Sequence, residues 1–243
     1  MIEKIKHALR KEQFQPGILA LFFNPYYFSR KGLFRHISLW APLITGRTLD
    51  VGCGTKPYEK LFLSTTSYIG LELDAVANRK NKKADYFYTG TTFPFQNDEF
   101  DSIIVNEVLE HVFSPSDFLS EIYRVLKPNG ILLMTVPFVW DEHEQPFDYA
   151  RYSSFGLKHL LEKSGFEVIE YRKSINDIRV IFQLLNCYIY KKTFTKNVFV
   201  NLFTTFFLMS PFTILGELLS KVLPKNEDLY LDSIILLKKK KTV

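Results

Sequence analysis

The chain has 243 residues, of which 47% are hydrophobic and 23% charged, so global disorder is excluded and a packed core is expected. The formal net charge is +5, and no basic stripe alternates with aromatic residues, which argues against nucleic acid as a partner. The two cysteines, Cys53 and Cys187, form no CxxC pair, which excludes a cysteine zinc site or a disulfide framework and fits a cytoplasmic protein.

The first 45 residues predict an N-terminal helical cap. The apolar residues that follow its first helical face are Ile2, Ile5, Leu9 and Phe14. Asn24–Pro25 marks a turn, and the apolar spacing over residues 34–40 predicts a second helix.

Strands and helices then alternate. The predicted strands cover residues 48–51, 68–73, 84–88, 100–105, 131–136, 166–171 and 230–237. The predicted helices cover residues 57–62, residues 116–126, and a segment that Ser153 or Ser154 caps and that stops at Gly165. Ser116 can cap the second of these helices, and Pro128-Asn129-Gly130 is expected to end it. This alternation predicts an α/β, Rossmann-like, doubly wound and mostly parallel seven-stranded sheet.

Residues 177–226 interrupt that alternation and predict an apolar helical insertion before the last strand, which divides the α/β domain into residues 46–176 and 227–243. Residues 197–216 contain no charged side chain, and their length alone would allow a membrane-spanning helix. A single crossing is excluded if residues 230–237 rejoin the sheet, because both ends of the insertion then lie on one side.

Two interpretations of the insertion remain. It could be a helical hairpin packed on its own domain or on a second subunit of a homodimer. It could also be a segment that contacts a membrane surface peripherally, which the high aromatic content favours. The lysines that would support membrane contact are Lys191, Lys192, Lys196, Lys221 and Lys225.

The first predicted strand runs into the segment Asp50–Gly54, which places Gly52 and Gly54 at the turn towards a helix. Glycine allows a tight turn and close approach of a ligand, and open α/β sheets bind ligands at this edge. Pro57 replaces the third glycine of a dinucleotide fingerprint, which argues against a nicotinamide cofactor. Asp50 would repel a pyrophosphate but suits a cationic ligand. Glu72, near the end of the second strand, is placed to accept from ribose hydroxyls.

Five sequence blocks in order carry a family resemblance. They are Leu49-Asp50-Val51-Gly52-Cys53-Gly54, Tyr68-Ile69-Gly70-Leu71-Glu72, Phe93-Pro94-Phe95 before Phe100-Asp101, Asn106-Glu107-Val108-Leu109-Glu110-His111-Val112, and Leu126-Lys127-Pro128-Asn129-Gly130-Ile131-Leu132. Over residues 46–172 the chain resembles the class I S-adenosylmethionine-dependent methyltransferases, in particular the type 11 methyltransferases. The resemblance implies S-adenosylmethionine as the cofactor.

The resemblance also implies roles for the first glycine-rich turn. Asp50, Gly52 and Gly54 would line the methionine portion of the cofactor. Cys53 lies between the two glycines and belongs to the same binding segment. No basic residue is adjacent to it in the sequence, so we expect a small packing residue rather than a reactive thiol.

The other implied cofactor residues follow later strands. Glu72 would bind the ribose, with Asp74 as the alternative if the register is shifted. Thr91 lies in the loop that would flank the adenine, where relatives commonly carry Asp, so this chain departs from the pattern there. Asn106 and Glu107 end the fourth strand beside the position of the sulfonium.

The acceptor is expected at the loop of residues 141–152, because this loop follows the fifth strand and is rich in ionisable side chains. Its pattern His-x-x-Pro-x-Asp-x-x-Arg-Tyr resembles methyltransferases of bacterial surface-polysaccharide pathways. His143 is the first choice as general base, with Asp148 or Glu142 orienting it. Arg151 would bind an acidic acceptor or pair with Asp148.

Two further residues are assigned to the acceptor side. Tyr152 follows Arg151 in the same pattern, and His111 follows the fourth strand, where we expect it to pack that loop. His143, Glu144 and Asp148 offer no specific ligand spacing, so no metal is expected.

The sequence therefore predicts a methyltransferase for a small acceptor, with a hydroxyl of a saccharide or lipid-linked glycan as the first acceptor class. A quinone or other lipid ring is the second acceptor class. A non-catalytic S-adenosylmethionine-binding scaffold protein is the alternative from another class, since the loop at Thr91 departs from the family pattern, while Asp50 and Glu72 are retained.

Overall fold

The computed structural model describes residues 11–81 and 83–240, so the predicted helical positions Ile2, Ile5 and Leu9 lie outside the described residues. The strands are β1 (Gly46–Val51), β2 (Thr65–Leu73), β3 (Tyr86–Tyr88), β4 (Phe100–Asn106), β5 (Leu126–Pro137), β6 (Phe166–Ser174) and β7 (Asp232–Lys239). The α-helices are α1 (Ala20–Phe23), α2 (Tyr27–Trp40), α3 (Val76–Asn81), α4 (Pro115–Val125), α5 (Ser154–Lys163), α6 (Arg179–Thr193), α7 (Val198–Thr204) and α8 (Ser210–Leu219).

Within the described residues the strands form one seven-stranded sheet in the order β3-β2-β1-β4-β5-β7-β6. The pairs β1–β2, β1–β4, β2–β3 and β4–β5 are parallel. The predicted doubly wound, mostly parallel sheet is confirmed. The carboxyl ends of these parallel strands therefore meet at one edge, which is where such sheets bind ligands.

The last two strands form an antiparallel hairpin that the sequence pattern did not predict. The N–H of Leu231 donates to the carbonyl of Ser174 (3.1 Å), and the N–H of Lys240 donates to the carbonyl of Gly165 (3.1 Å). The paired positions run in opposite directions along the chain, as antiparallel pairing requires.

The predicted boundaries of the helix before β5 were wrong at both ends. The helix begins with Pro115 in its first turn and Ser114 at the N-cap, so Ser116 is already helical and does not cap it. Proline suits that position because the first helical N–H groups have no partner inside the helix. The helix ends at Val125, and β5 begins at the next residue. The segment Pro128-Asn129-Gly130 therefore lies within β5.

That segment interrupts the pairing of β5 rather than ending a helix. Phe100 of β4 pairs with Leu126, but two residues later Ser102 pairs with Ile131. Asn129 has φ +63°, a conformation that asparagine tolerates better than most residues. The predicted helix at residues 57–62 is also shorter than expected and consists of one 3₁₀ turn, Glu59–Leu61.

The chain divides into two compact units. Among the described residues, one unit contains residues 37–81, 83–138, 142–172 and 233–240, and the other contains residues 11–36, 139–141 and 173–232. The N-terminal segment and the helical insertion thus belong to the same unit. The buried core of that unit includes Ala20, Tyr27, Phe28, Val180 and Leu231.

The first of these units contains the strands β1 to β5 and the larger core. β4 is almost continuously buried, as expected for a parallel strand covered on both faces. Helix α4 buries one face against the sheet, because its apolar residues recur at helical spacing. Those buried residues are Phe118, Leu119, Ile122 and Val125.

Candidate functional site

The turn after β1 can be built only with glycine at its first position. Gly52 has φ +69°, and a Cβ atom there would lie 2.4 Å from Cγ2 of Val108. Gly54 also has a positive φ, +54°. The backbone therefore turns sharply at the carboxyl edge of the sheet and lies against the loop that follows β4, where Val108 is found. The sequence predicted a glycine turn at this edge of the sheet, and the structure has one there.

Asp50 lies under this turn, near the end of β1. Its side chain is buried, and the hydroxyl of Tyr68 donates a 2.7 Å hydrogen bond to its Oδ2. Burial raises the pKa of Asp50 to about 7, and the Tyr68 hydrogen bond opposes that rise. Near neutral pH this carboxyl therefore titrates, and Tyr68, which sequence reasoning did not single out, fixes its orientation.

Glu72 is the acidic residue that the structure brings to the glycine turn. The N–H of Gly54 donates to its Oε2 at 3.0 Å, and the amide of Asn78 donates to its Oε1 at 3.4 Å. Asp74, the alternative, lies further along the chain and accepts two hydrogen bonds from Arg79, at 2.6 and 2.7 Å. The geometry therefore favours Glu72 as the ribose-binding residue.

The ends of β4 and β5 meet at Thr135. Its hydroxyl lies 2.9 Å from Oδ1 of Asn106 and 2.8 Å from Oε1 of Glu107. Glu107 has φ +53°. This backbone conformation is uncommon for residues other than glycine, and such residues cluster at functional sites. Sequence reasoning missed Thr135, and the signal that could have found it is its register position opposite Asn106.

Two other predicted cofactor residues, Cys53 and Thr91, differ in their burial. Cys53 is buried, and burial raises the pKa of its thiol to about 12, so it is a packing residue rather than a thiolate. Thr91 is exposed in the turn that follows Gly90, whose φ is +69°. Nothing lies within 4 Å of a Cβ atom placed on Gly90, so this loop leaves space for a ligand.

On the acceptor side, Asp148 holds both His143 and Arg151. Its carboxylate accepts two hydrogen bonds from Arg151, at 2.6 and 2.7 Å, and one of 3.0 Å from the backbone N–H of His143. The Nδ1 atom of His143 lies 3.3 Å from Oδ2 of Asp148. The Asp148 contact favours a proton on Nδ1, whereas Nη2 of Arg151, 3.4 Å from the same atom, can only donate and favours a proton on Nε2.

Asp148 is ionised throughout the ordinary pH range. Burial acts to raise its pKa, but the Arg151 guanidinium and the His143 backbone N–H outweigh burial and lower the pKa to about 2. Its side chain is only 4% exposed. The carboxylate is therefore a fixed anion, suited to orienting an imidazole and to stabilising the imidazolium that proton uptake would create.

Glu142 and Tyr152 occupy different surroundings. Glu142 is exposed and accepts a hydrogen bond from the side-chain amide of Gln145 at 3.3 Å, so the distances favour Asp148 as the partner of His143. Tyr152 is half-buried and packs against the main apolar core, with the pKa of its hydroxyl raised by burial.

The short turn after β4 ties the two halves of the site together. The carbonyl of Glu110 accepts from the N–H groups of Tyr149 (2.8 Å) and Ala150 (3.3 Å). His111 Nδ1 lies 2.8 Å from the carbonyl of Phe147, so Nδ1 is the donor. The rings of His111 and His143 meet edge to face with centroids 4.8 Å apart.

Glu110 is the one buried carboxylate here that sequence reasoning did not single out. Its side chain is fully buried, and among the described residues neither carboxylate oxygen has a hydrogen-bond partner. Burial, and then the charge of Glu107, raise its pKa well above the usual range. Ligand-capable atoms of Glu110, His111 and His143 lie within 4.8 Å of one another, so these three residues, rather than Glu144 or Asp148, form the metal-capable group.

Comparison with known proteins agrees with this geometry. The family model described as "Methyltransferase domain" matches residues 9–171. The chain is 28% identical over 132 residues to the probable S-adenosylmethionine-dependent methyltransferase of Mycolicibacterium smegmatis, a match that covers 49% of this chain and 51% of that protein. It is 29% identical over 112 residues to demethylmenaquinone methyltransferase of Leptospira interrogans, covering 33% of this chain and 45% of that protein.

Among solved structures, phosphoethanolamine N-methyltransferase 2 of Haemonchus contortus in complex with S-adenosylmethionine has a similar fold. The TM-score is 0.54 at 18% identity, and the match covers 95% of this chain and 59% of that one. The [4+2]-cyclase SpnF is similar with a TM-score of 0.55 at 18% identity, covering 90% of this chain and 84% of that one.

The chain therefore belongs to the methyltransferase domain family, as a class I S-adenosylmethionine-dependent methyltransferase. Its cofactor is S-adenosylmethionine, and the residues present fit it. At Gly52 a side chain would collide with Val108, so bare backbone faces the site there, and the Glu72 carboxylate is held beside this turn by the N–H of Gly54.

Proposed function

We propose that this methyltransferase transfers a methyl group to a hydroxyl of a saccharide, carried on a glycan or a lipid-linked glycan at the cytoplasmic side of a membrane. The observation that carries the proposal is the pairing of His143 with the ionised Asp148, in the loop that follows β5. A hydroxyl acceptor needs a base at the moment of transfer, whereas carbon and amine acceptors often need less assistance.

In the tautomer that the Asp148 contact favours, with a proton on Nδ1, the acceptor's proton would move to Nε2 of His143. The acceptor oxygen forms a bond to the methyl carbon as its proton passes to this nitrogen. Asp148, 3.3 Å from Nδ1, then faces the imidazolium charge and stabilises it. Bound S-adenosylmethionine supplies an activated methyl group, and the electron pair of the broken carbon–sulfur bond stays on sulfur.

The remaining residues position the two reactants. We propose that Glu72 binds the ribose hydroxyls and that the turn at Gly52 and Gly54 lies against the methionine portion. The carboxyl of Asp50 lies under that turn, where its negative charge, when ionised, suits the cationic cofactor. Thr91 would flank the adenine. Because positioning can supply a large part of the acceleration of a bimolecular step, these contacts matter as much as the base.

On the acceptor side, Arg151 holds the carboxylate of Asp148 in place. It donates to both oxygens of Asp148, and this bidentate pair fixes the carboxylate that in turn orients His143. We propose that Arg151, His111 and Tyr152 border the acceptor, with His111 held by the carbonyl of Phe147.

The test is transfer of a labelled methyl group from S-adenosylmethionine into cell extracts separated into lipid-linked glycan, free glycan and quinone fractions. Label in a glycan fraction that is stable to mild base supports an ether on a saccharide hydroxyl. Label confined to the quinone fraction, or no label in any fraction, would contradict the proposal.

The second acceptor class, a quinone or similar lipid ring, is favoured by one comparison. The Leptospira relative is named a demethylmenaquinone methyltransferase, and such a ring is methylated on carbon. The His143→Gln variant separates the two classes, because loss of an imidazole should slow transfer to a neutral hydroxyl far more than transfer to an activated ring carbon.

A further inference from the structure

The helical pair α7–α8 carries an unusual amount of exposed apolar surface. With the π-helical turn Thr205–Met209 between them, they form one continuous helix, Val198–Leu219, with a mean hydropathy of 1.8 over its most apolar 18-residue window. Only 22% of that window is buried, whereas the core helix of a soluble domain is mostly buried. We call its exposed side the apolar face; its main members are Phe199, Phe203, Phe206, Phe207, Leu215 and Leu218.

The opposite side of this helix is already packed within its own unit. Thr205, Met209, Thr213 and Gly216 are buried and recur at helical spacing. The hydroxyl of Thr213 accepts a 2.9 Å hydrogen bond from Asn186 of α6. One stripe of the helix is therefore fixed to protein by polar as well as apolar contacts. The helix is long enough to cross a bilayer, but this stripe favours an orientation in which only the apolar face meets lipid.

The charges at the ends of the helix are positive. Lys192 and Lys196 precede it, Lys221 and Lys225 follow it, and all four are exposed. The acidic residue within the helix, Glu217, is paired with Lys31 at 2.8 Å. Just before α6, the buried Asp177 is paired with Arg179 at 2.7 Å. The segment therefore presents phenylalanines between two pairs of lysines. Lys225 lies close enough to Asp177 to lower the pKa of that carboxyl, so the positive charge is least compensated at Lys192, Lys196 and Lys221.

The apolar face and its flanking lysines favour an anionic lipid surface over a second copy of the chain. In a symmetric dimer the same patch would meet itself, so the lysine pairs of two copies would be brought together and would repel each other. An anionic lipid surface instead offers an apolar interior for the phenylalanines and negative headgroups for the lysines at both ends. Lysines flanking an apolar, aromatic helix face are the pattern of segments that lie in a membrane interface.

We propose that the apolar face of Val198–Leu219 inserts into the interfacial layer of an anionic lipid bilayer, with Lys192, Lys196, Lys221 and Lys225 at the headgroups. This deepens the proposed function, since a lipid-linked acceptor would lie in the same membrane. The vesicle experiment below does not depend on methyl transfer, so the failure of one proposal can be told from the failure of the other.

The test is flotation of the full-length protein with vesicles of phosphatidylcholine containing about one third phosphatidylglycerol, compared with pure phosphatidylcholine. We expect wild type to float with the anionic vesicles and the double variant Phe199→Ser/Phe203→Ser to lose at least about tenfold in partitioning. The matched control is Leu63→Ser/Phe155→Ser, because these side chains are more exposed (88% and 86%) than Phe199 and Phe203 (82% and 62%) but lie in the other unit.

A charge variant tests whether the four lysines contact anionic headgroups. Changing Lys192, Lys196, Lys221 and Lys225 to Ala should remove most of the preference for anionic vesicles, and raised salt should do the same to wild type. Retained stabilisation by S-adenosylhomocysteine shows that each variant is folded.

Two results would overturn the proposal. One is wild type that floats no better with anionic vesicles than with neutral ones. The other is equal loss of flotation in the Leu63/Phe155 control. If wild type instead elutes as a dimer, does not float, and becomes monomeric on Phe199→Ser/Phe203→Ser, the apolar face is an interface between two copies.

Discussion

The backbone N–H of Gly54 donates a 3.0 Å hydrogen bond to the carboxylate of Glu72. This bond joins the turn after β1 to the last residues of β2, two parallel neighbours in the sheet. It fixes the carboxylate beside a backbone segment that has no side chain to block a ligand. The position of the Glu72 carboxylate, the proposed ribose-binding group, thus depends on a glycine that lies 18 residues earlier in the chain.

Glu72→Ala should abolish cofactor binding. Wild type saturated at about 100 times Kd with S-adenosylhomocysteine should gain about 2.7 kcal/mol of stability, and the variant should show little or no thermal shift. Asp74→Ala is the matched control, because Asp74 is held by Arg79, and it should keep the shift. If Asp74→Ala loses the shift while Glu72→Ala keeps it, the two roles are reversed.

His143→Gln should lower kcat about 10²–10⁴-fold, the usual contribution of a general base, while the thermal shift with S-adenosylhomocysteine stays unchanged. Asp148→Asn should also lower kcat, because it removes the fixed anion beside Nδ1. Initial rates of labelled methyl transfer provide the measurement. His159→Gln, an exposed histidine on α5, is the control. An unchanged rate for His143→Gln removes this residue from proton transfer.

Asp50→Asn should become more stable relative to wild type as pH rises. Burial raises the pKa of Asp50 to about 7 in the folded protein, so the folded state keeps a proton that the unfolded chain has lost. Stability from this group is complete below about pH 4 and is lost as pH rises to 7. The difference in unfolding free energy should therefore shift by roughly 2–4 kcal/mol between pH 4 and pH 8.

Urea unfolding at several pH values measures that difference. The control is Asp117→Asn, because the side chain of Asp117 is exposed. A constant difference for Asp50→Asn would mean that Asp50 is ionised in the folded protein at no cost.

Removal of divalent metal should leave methyl transfer unchanged. The ligand-capable atoms of Glu110, His111 and His143 lie within 4.8 Å of one another, and Nε2 of His111 is 3.6 Å from Oε1 of Glu110, whereas tetrahedral zinc ligands at 2.0–2.1 Å from the metal stand about 3.3 Å from one another. Methyl-transfer rates measured with and without a chelator test this prediction. A loss that zinc restores in wild type, but not in Glu110→Gln, would assign a metal to these three residues.

Much of the fold follows from local patterns in the sequence. The seven strands were predicted because continuous apolar runs and turn residues reflect neighbours in the chain. The glycine turn and Glu72 were predicted because parallel strands end at one edge. The helix start at Pro115 was missed in favour of Ser116, and the hairpin of β6 with β7 was not foreseen, since strand direction depends on pairing between segments distant in sequence.

The sequence by itself determined the α/β class, the cofactor turn at Asp50–Gly54 and the family of the protein, because these depend on residue type and spacing along one strand and its turn. Only the tertiary structure decided that Asp148 rather than Glu142 holds His143, that Tyr68 orients Asp50, and that Glu110 is buried without a hydrogen-bond partner among the described residues. Such pairings arise where separate loops and strands converge, and neither burial nor hydrogen-bond geometry is encoded in the order of residues within any one segment.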